Sequence, residues 1–409
     1  MKYKETPFGC VPEDWNVLPI NEITSLVTDY VANGSFASLA ENVKYKEEKD
    51  VAVLIRLVDY NRNFDGDFVY IDEHAYEFLS KSKLYGGEII ISNVGANVGT
   101  VFRCPYLPYK MSLAPNSIMV KFKGSDEFYY YWLRSPFGQH MLKSIVTGSA
   151  QPKFNKTNFR DMLAPVPPRK VQDRIVTILR TLDDKIEVNK KINKNLLQQM
   201  ESLYKAWFTD FIPFGGSRPS DWRKSDIYSI ADIIYGAPFS SKLFNTDGEG
   251  IPIIRIRDLR DQAFVTYTTE NHPKGHLIQP GDIVVGMDGE FRPYIWGNTE
   301  AWLNQRVCIF NNKRPKGKAF VLFTIKPLLY RIEQTQVATT VIHIGKKDYD
   351  AFELYLPDSN TLDQFDELTS PMIDQIVVNR LENKRLATLR DSLLPRLMSG
   401  ELDVSDIDL

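Results

Sequence analysis

The chain has 409 residues, 43% of them hydrophobic and 12% aromatic, which is the composition of a soluble globular protein with room for about two to four domains. No apolar run approaches a membrane span and the start, MKYKETPFGC, lacks the apolar core of a signal peptide, so a cytoplasmic location is expected and no membrane contact. A net charge of -2 argues against a uniformly basic nucleic-acid binder but leaves room for one basic face. Cys10, Cys104 and Cys308 lie far apart with no CxxC or Cys/His cluster, so no zinc site, disulfide framework or cofactor is expected.

Taken in order, the chain starts with a unit that runs to about Ala164 and mixes strands with short helices. Val51–Val58, Glu88–Ser92 and Ser117–Phe122 have the β-branched character of buried strands. The glycines in SNVGANVGT, residues 92–100, predict a tight polar connection after the second of these. Asp126–Leu142 reads as one helix ending near Gly138, its FYYYWL run being core packing.

From Pro165 to Phe208 the pattern changes. A Pro167–Pro168 brake is followed by a run without Gly or Pro, and Val171, Ile175, Ile178, Leu182, Ile186, Leu196, Met200, Leu203 and Trp207 recur at helical spacing. A helix of this length spans roughly 55 Å, which predicts a spacer or coiled-coil arm. The segment then recurs. A shift of 190 lays Leu356–Met398 on it without a gap, placing Pro167 on Pro357, Asp184 on Asp374, Asn189 on Asn379, Asn193 on Asn383, Lys194 on Lys384 and Leu203 on Leu393. Amphipathic helices share apolar spacing by default but rarely share polar positions, so the arms are internal duplicates.

Between the arms, Pro213–Trp222 is a turn-rich linker, and the second unit repeats the first loosely. Pro219, Asp221 and Trp222 match Pro12, Asp14 and Trp15; PGDIVVGMDG at 280–289 matches GGEIIISNVG at 86–95, with the shift there 194. Arms that stay alike beneath heads that diverge predict a common partner for the arms and different targets for the heads. The expected domains are 1–165, 166–210, 211–357 and 358–409: a mixed α/β head, a long helix, a second head, and a second long helix with the C-terminal tail.

Catalytic signatures are missing. There is no phosphate-loop motif, H-E-x-x-H, G-x-S-x-G or Asn/Asp-Pro-Pro-aromatic stretch, and the five histidines show no triad or metal spacing. No catalytic or metal-binding residue is therefore expected. Side chains suited to DNA do gather near glycine turns: Arg56, Arg62, Asn93, Asn97, Lys153, Asn155 and Lys156 in the first head, and Arg255, Arg257, Arg260, Asn304, Gln305 and Arg306 in the second. Arg matches guanine O6 and N7, Asn or Gln matches adenine N6 and N7, and Lys suits phosphates. For any one of them a solvated surface position is the plainer reading. Arg56 and Arg257 are the expected base readers. Along the arms, Ile186, Asn189, Asn193 and Leu196 face their duplicates Ile376, Asn379, Asn383 and Leu386 if the helices pair antiparallel, the asparagines then fixing register near a pseudo-two-fold axis; asparagines that simply face water are an equally good reading of the pattern.

Gly148–Ile186, LYKAWFTDFIPF at 203–214, PGDIVVGMDG followed by LNQRV at 303–307, and the terminal LLPRLMSGELDV together resemble the type I restriction enzyme specificity subunits, across essentially the whole chain. The second copy departs from the pattern, with VIHIGKKDYDAFELYLPD where the first has QPKFNKTNFRDMLAPVPP, and that weakens any carry-over to its turn. The resemblance implies an α+β architecture of two target-recognition domains joined by an antiparallel pair of long helices. It implies as partners double-stranded DNA with a bipartite target, two methylation subunits and the restriction subunits, with no active site on this chain. A two-headed protein-interaction scaffold that ignores DNA is the alternative.

Overall fold

A computed structural model describes residues 2–335 and 342–405. Val341, the first residue of the departing stretch, and 406–409 of the expected C-terminal tail lie outside the described residues. The chain forms two compact units, Met1–Leu182 with Leu389–Leu409, and Asp183–Thr388. Both long segments are helical, over Arg169–Phe208 and Ser359–Met398. The second stays helical through Pro371 and Pro395, although each proline removes a backbone donor.

The first unit contains an antiparallel sheet ordered Thr24–Asp29, Ser117–Phe122, Ile89–Ser92, Val101–Arg103. A second sheet runs Val69–Ile71, Ala52–Ile55, Lys110–Leu113, Lys83–Leu84, and its two central strands are parallel. The region expected as a single helix to Gly138 is two helices, Asp126–Arg134 and Pro136–Ser144. Pro136 disfavours helical backbone at the residue before it, and Ser135 instead caps the second helix by accepting from Gly138 N at 3.3 Å. Phe128, Tyr129, Tyr131 and Trp132 are buried in the core, as their packing role predicts. Ile175, Leu179, Leu397 and Met398 join the same core, so the start of the first arm and the end of the second pack together here.

The other unit repeats this plan. Its antiparallel sheet is ordered Ala231–Tyr235, Val307–Asn312, Ile283–Gly286, Pro293–Ile295, and its second sheet again has a parallel central pair, Ile251–Ile254 with Ala301–Leu303. The starts of the heads match as well: Trp15 N donates to Pro12 O at 3.1 Å and Trp222 N to Pro219 O at 3.3 Å, and both indoles are buried. The heads that look divergent in sequence thus share one strand order, with one added edge strand, Phe244–Asn245, in the second. Buried alternate positions tolerate any apolar residue of suitable size, so strand sequences drift while their pairing persists.

Within this unit the arms run antiparallel. Asn189 Nδ2 donates to Asn383 Oδ1 at 2.9 Å, and Asn379 Nδ2 donates to Asn193 Oδ1 at 2.8 Å. The shift of 190 turns one pair into the other, which is the signature of a pseudo-two-fold axis between them. Ile186 and Ile376 are buried beside this seam, and Leu196 and Leu386 are half-buried.

Candidate nucleic-acid interface

Both central parallel strands of each head end on the same side, and the loops leaving them are stitched by a shared set of backbone hydrogen bonds. In the first head Ala114 N donates to Ile55 O at 3.2 Å, Asn93 N to Asn116 O at 3.0 Å, Phe154 N to Asn93 O at 3.1 Å and Gly95 N to Pro152 O at 2.9 Å. In the second head the rungs are Asn304 N to Ile254 O at 3.2 Å, Met287 N to Arg306 O at 2.9 Å, Ile344 N to Met287 O at 2.9 Å and Gly289 N to Ile342 O at 3.0 Å. Each bond in one head has its counterpart in the other. The turn whose sequence departs from the duplicated pattern therefore keeps the same backbone pairing, and Val94–Lys153 and Asp288–His343 occupy equivalent bridges. Glycine is required where this frame turns, at Gly95 (φ 101°) and Gly289 (φ 77°).

Side chains on the frame differ between the heads. Arg56 follows its strand and turns back: Nε and Nη2 donate to the two carboxylate oxygens of buried Asp59 at 3.0 and 2.6 Å, and Nη2 also reaches Asp67 O at 3.1 Å. Its structural equivalent is Arg255, whose backbone N donates to Asp258 at 3.0 Å and whose Nη2 donates to Thr266 Oγ1. These bonds occupy Nε and Nη2, so Arg56 braces its loop as it stands and a base would meet it through Nη1. Arg257 is 62% exposed, with Asp258 at 3.7 Å.

Asn93 also turns inward, donating to Phe154 O at 3.1 Å while its Oδ1 is buried with no partner among the described residues. Asn155 caps the following helix by accepting from Asn158 N at 2.8 Å, and Lys156 pairs with Asp29 at 2.8 Å. Arg62, Asn97 and Lys153 are exposed on the first head, as are Arg260 and Gln305 on the second; Asn304 is half-buried and accepts from Gln305 N at 2.6 Å. Arg306 stands over Asp288 at 3.7 Å and His343 at 3.1 Å, and His343 Nδ1 lies 2.6 Å from Asp288 Oδ1. That short contact fits Nδ1–H donating to the carboxylate, leaving Arg306 held by charge.

Three side chains at this edge escape the sequence reading: Asn116, Asp288 and His343. Asn116, with φ 66°, is the equivalent of Arg306 and is found by carrying the shift of 190 into Ser117–Phe122 and Val307–Asn312. In the first head a cleft of about 590 Å³ opens beside the frame, lined by Tyr30, Phe36, Tyr45, Asn93 and Asn116 among others. Phe36 is 82% exposed. Burial pushes the Cys308 thiol up to about 12 and raises Cys104 too, which keeps both thiols inert. Among the described residues no cluster of His, Cys, Asp or Glu is arranged to hold a metal, and no helix is long and apolar enough to cross a membrane.

Comparison with known proteins agrees with this duplicated design. The chain is 23% identical over 439 residues to the type I restriction enzyme MjaIX specificity subunit of Methanocaldococcus jannaschii, spanning 99% of this chain and 98% of that one. It is 31% identical over 192 residues to the type I restriction enzyme EcoBI specificity subunit of Escherichia coli, covering 46% of this chain and 40% of its relative. The crystal structure of a type I restriction-modification system S subunit from M. genitalium superposes with a TM-score of 0.52 at 13% identity, covering 94% of this chain and 96% of that chain, a likeness of fold. Residues 12–198 and 219–389 each match the type I restriction modification DNA specificity domain, one match to each half of the duplication, and the chain belongs to that family.

Proposed function

We propose that this chain is the DNA sequence-specificity subunit of a type I restriction-modification complex and that its two heads, at 1–165 and 211–357, each read one half of a bipartite target. The observation that carries the reading is the repeated backbone frame bearing different side chains. Identical rungs hold Asn116 and Lys153 in one head where Arg306 and His343 stand in the other. A frame kept constant while its projecting groups change is suited to reading two different base sequences in one manner.

The spacer helix at 166–210 and the segment 358–409, which holds the second spacer helix and the C-terminal tail, dock two methylation subunits, and the restriction subunits join the assembly; adenine methylation and cleavage are the partners' chemistry. The chain itself contributes specificity and no catalytic group, and it works in the cytoplasm. Arg257, Arg260, Gln305 and Arg306 are the base-reading candidates of the second head, with Arg62, Asn97 and Lys153 in the first. Arg56, Arg255, Asn93, Asn155, Lys156 and Asn304 shape the loops that present them.

The test is methylation mapping with the assembled complex. A bipartite motif with a fixed unread spacer is expected, and Arg306→Ala should relax one position of one half-site at a cost of about 1–3 kcal/mol. A uniform loss at all sequences assigns Arg306 to phosphate instead. Absence of salt-sensitive DNA binding by the complex refutes the reading and leaves a protein scaffold.

A further inference from the structure

The second arm is clasped to its own head beside the asparagine seam. Arg380, next to Asn379, lays its side chain across Gly297 and donates from Nη1 to Ile295 O. A Cβ on Gly297 would lie 2.1 Å from Arg380 Cδ and 2.8 Å from its Cβ, so only glycine admits the arm this closely. One turn further on, Lys384 Nζ donates to Asn298 Oδ1 at 2.5 Å and sits 4.1 Å from the centroid of the Phe264 ring.

The receiving loop is braced from behind. Gln262 donates to Ile295 O at 2.8 Å, accepts from Gly297 N at 2.7 Å, and takes the Asn298 amide on its own carbonyl at 2.7 Å. Trp296 is fully buried and donates to Thr299 O at 2.9 Å. Among the described residues neither cation has a carboxylate partner, and burial alone pushes both pKa values down. An arginine held by a carbonyl in a desolvated site is costly unless the contact is kept, which makes the joint stiff. The duplicate of Arg380 on the first arm is Lys190, and it pairs with Glu187 on its own helix at 2.6 Å.

We propose that Arg380 and Lys384 are positioning residues that fix the second head on its arm, so that discrimination of spacer length depends on them. This rests on the bipartite reading above. The test uses the full complex with its methylation subunits and DNA carrying both half-sites, with the spacer native, one base pair longer or one shorter.

The wild type is expected to methylate one spacer. Arg380→Ala should weaken that preference by about tenfold, the equivalent of one charge-assisted hydrogen bond, while base preferences within each half-site stay put. Arg380→Lys, which keeps a donor, should recover part of it. Gly297→Ala should act like Arg380→Ala without removing either cation, and it serves where the alanine variant fails to fold. An unchanged spacer preference in a folded, assembled variant overturns the proposal alone, as does relaxed base reading in place of relaxed spacing. A wild-type complex with no bipartite preference overturns the functional reading and the proposal with it.

Discussion

The asparagine seam makes a quantitative prediction. Asn379 is 4% exposed and Asn193 6% exposed. Asn379 donates to Asn193 at 2.8 Å and accepts from Gln375 Nε2 at 2.7 Å. Replacing Asn379 with Ala removes one partner and leaves the buried Asn193 Oδ1 unsatisfied, which costs about 1–3 kcal/mol. Taking 2 kcal/mol as about the middle of that range, hydrogen exchange of the arm amides near 376–383 should speed up about 30-fold. Converting both partners to leucine removes the orphan as well as the bond, so Asn193→Leu with Asn379→Leu should recover most of the loss, at the expense of a less defined register. The assay is exchange measured by mass spectrometry on the two single variants and the pair. Additive losses in the double variant refute the argument, because they mean that the two amides do not act as a unit.

Other expectations follow from single contacts. Asp288→Ala frees Arg306 from its nearest carboxylate and should tighten DNA binding while steepening its salt dependence, read from affinity over a salt series. Gly236→Ala places a Cβ 2.0 Å from Asn304 O and 2.5 Å from Leu303 O, and should destabilise the second unit by about 2–3 kcal/mol in thermal unfolding. Burial raises the Asp282 carboxyl, against the opposing hydrogen bond from Gln279 N and the charges of Lys318 and His276. The folded state therefore holds this proton more tightly than the unfolded state. Stability from this group is full below the ordinary carboxylate pKa of about 4 and falls as pH rises through the raised value, and Asp282→Asn should flatten that fall in unfolding midpoints.

The arms were legible in the sequence because helical packing imposes a period, and Asn189 and Asn193 stand at the same places in that period as their duplicates. The heads were legible only in part, through the match of 86–95 with 280–289, because most of their frame consists of backbone bonds such as Phe154 N to Asn93 O and Ile344 N to Met287 O, which constrain side-chain identity only at turns such as Gly95 and Gly289. That is why the stretch from 341 to 358 reads as a departure while its described part keeps the pairing. Arg56 is a different case. Residue type suggested base reading, but the aspartate three residues on was already visible, and Arg255 repeats it with Asp258. The spacing Arg-x-x-Asp after a strand names a brace in both heads and gives their alignment directly. The break at Ser135 was likewise written in Pro136.

The pairing of Asn193 with Asn379 joins two neutral amides. Such groups neither titrate nor attract counterions, so moderate salt and shifts in acidity, which weaken phosphate contacts, leave this pair unchanged. This one contact of the register is thereby made from different chemistry than the grip on phosphates, whereas the Asn189 side of the seam, which also donates to Glu382, and the Arg380 clasp carry charge.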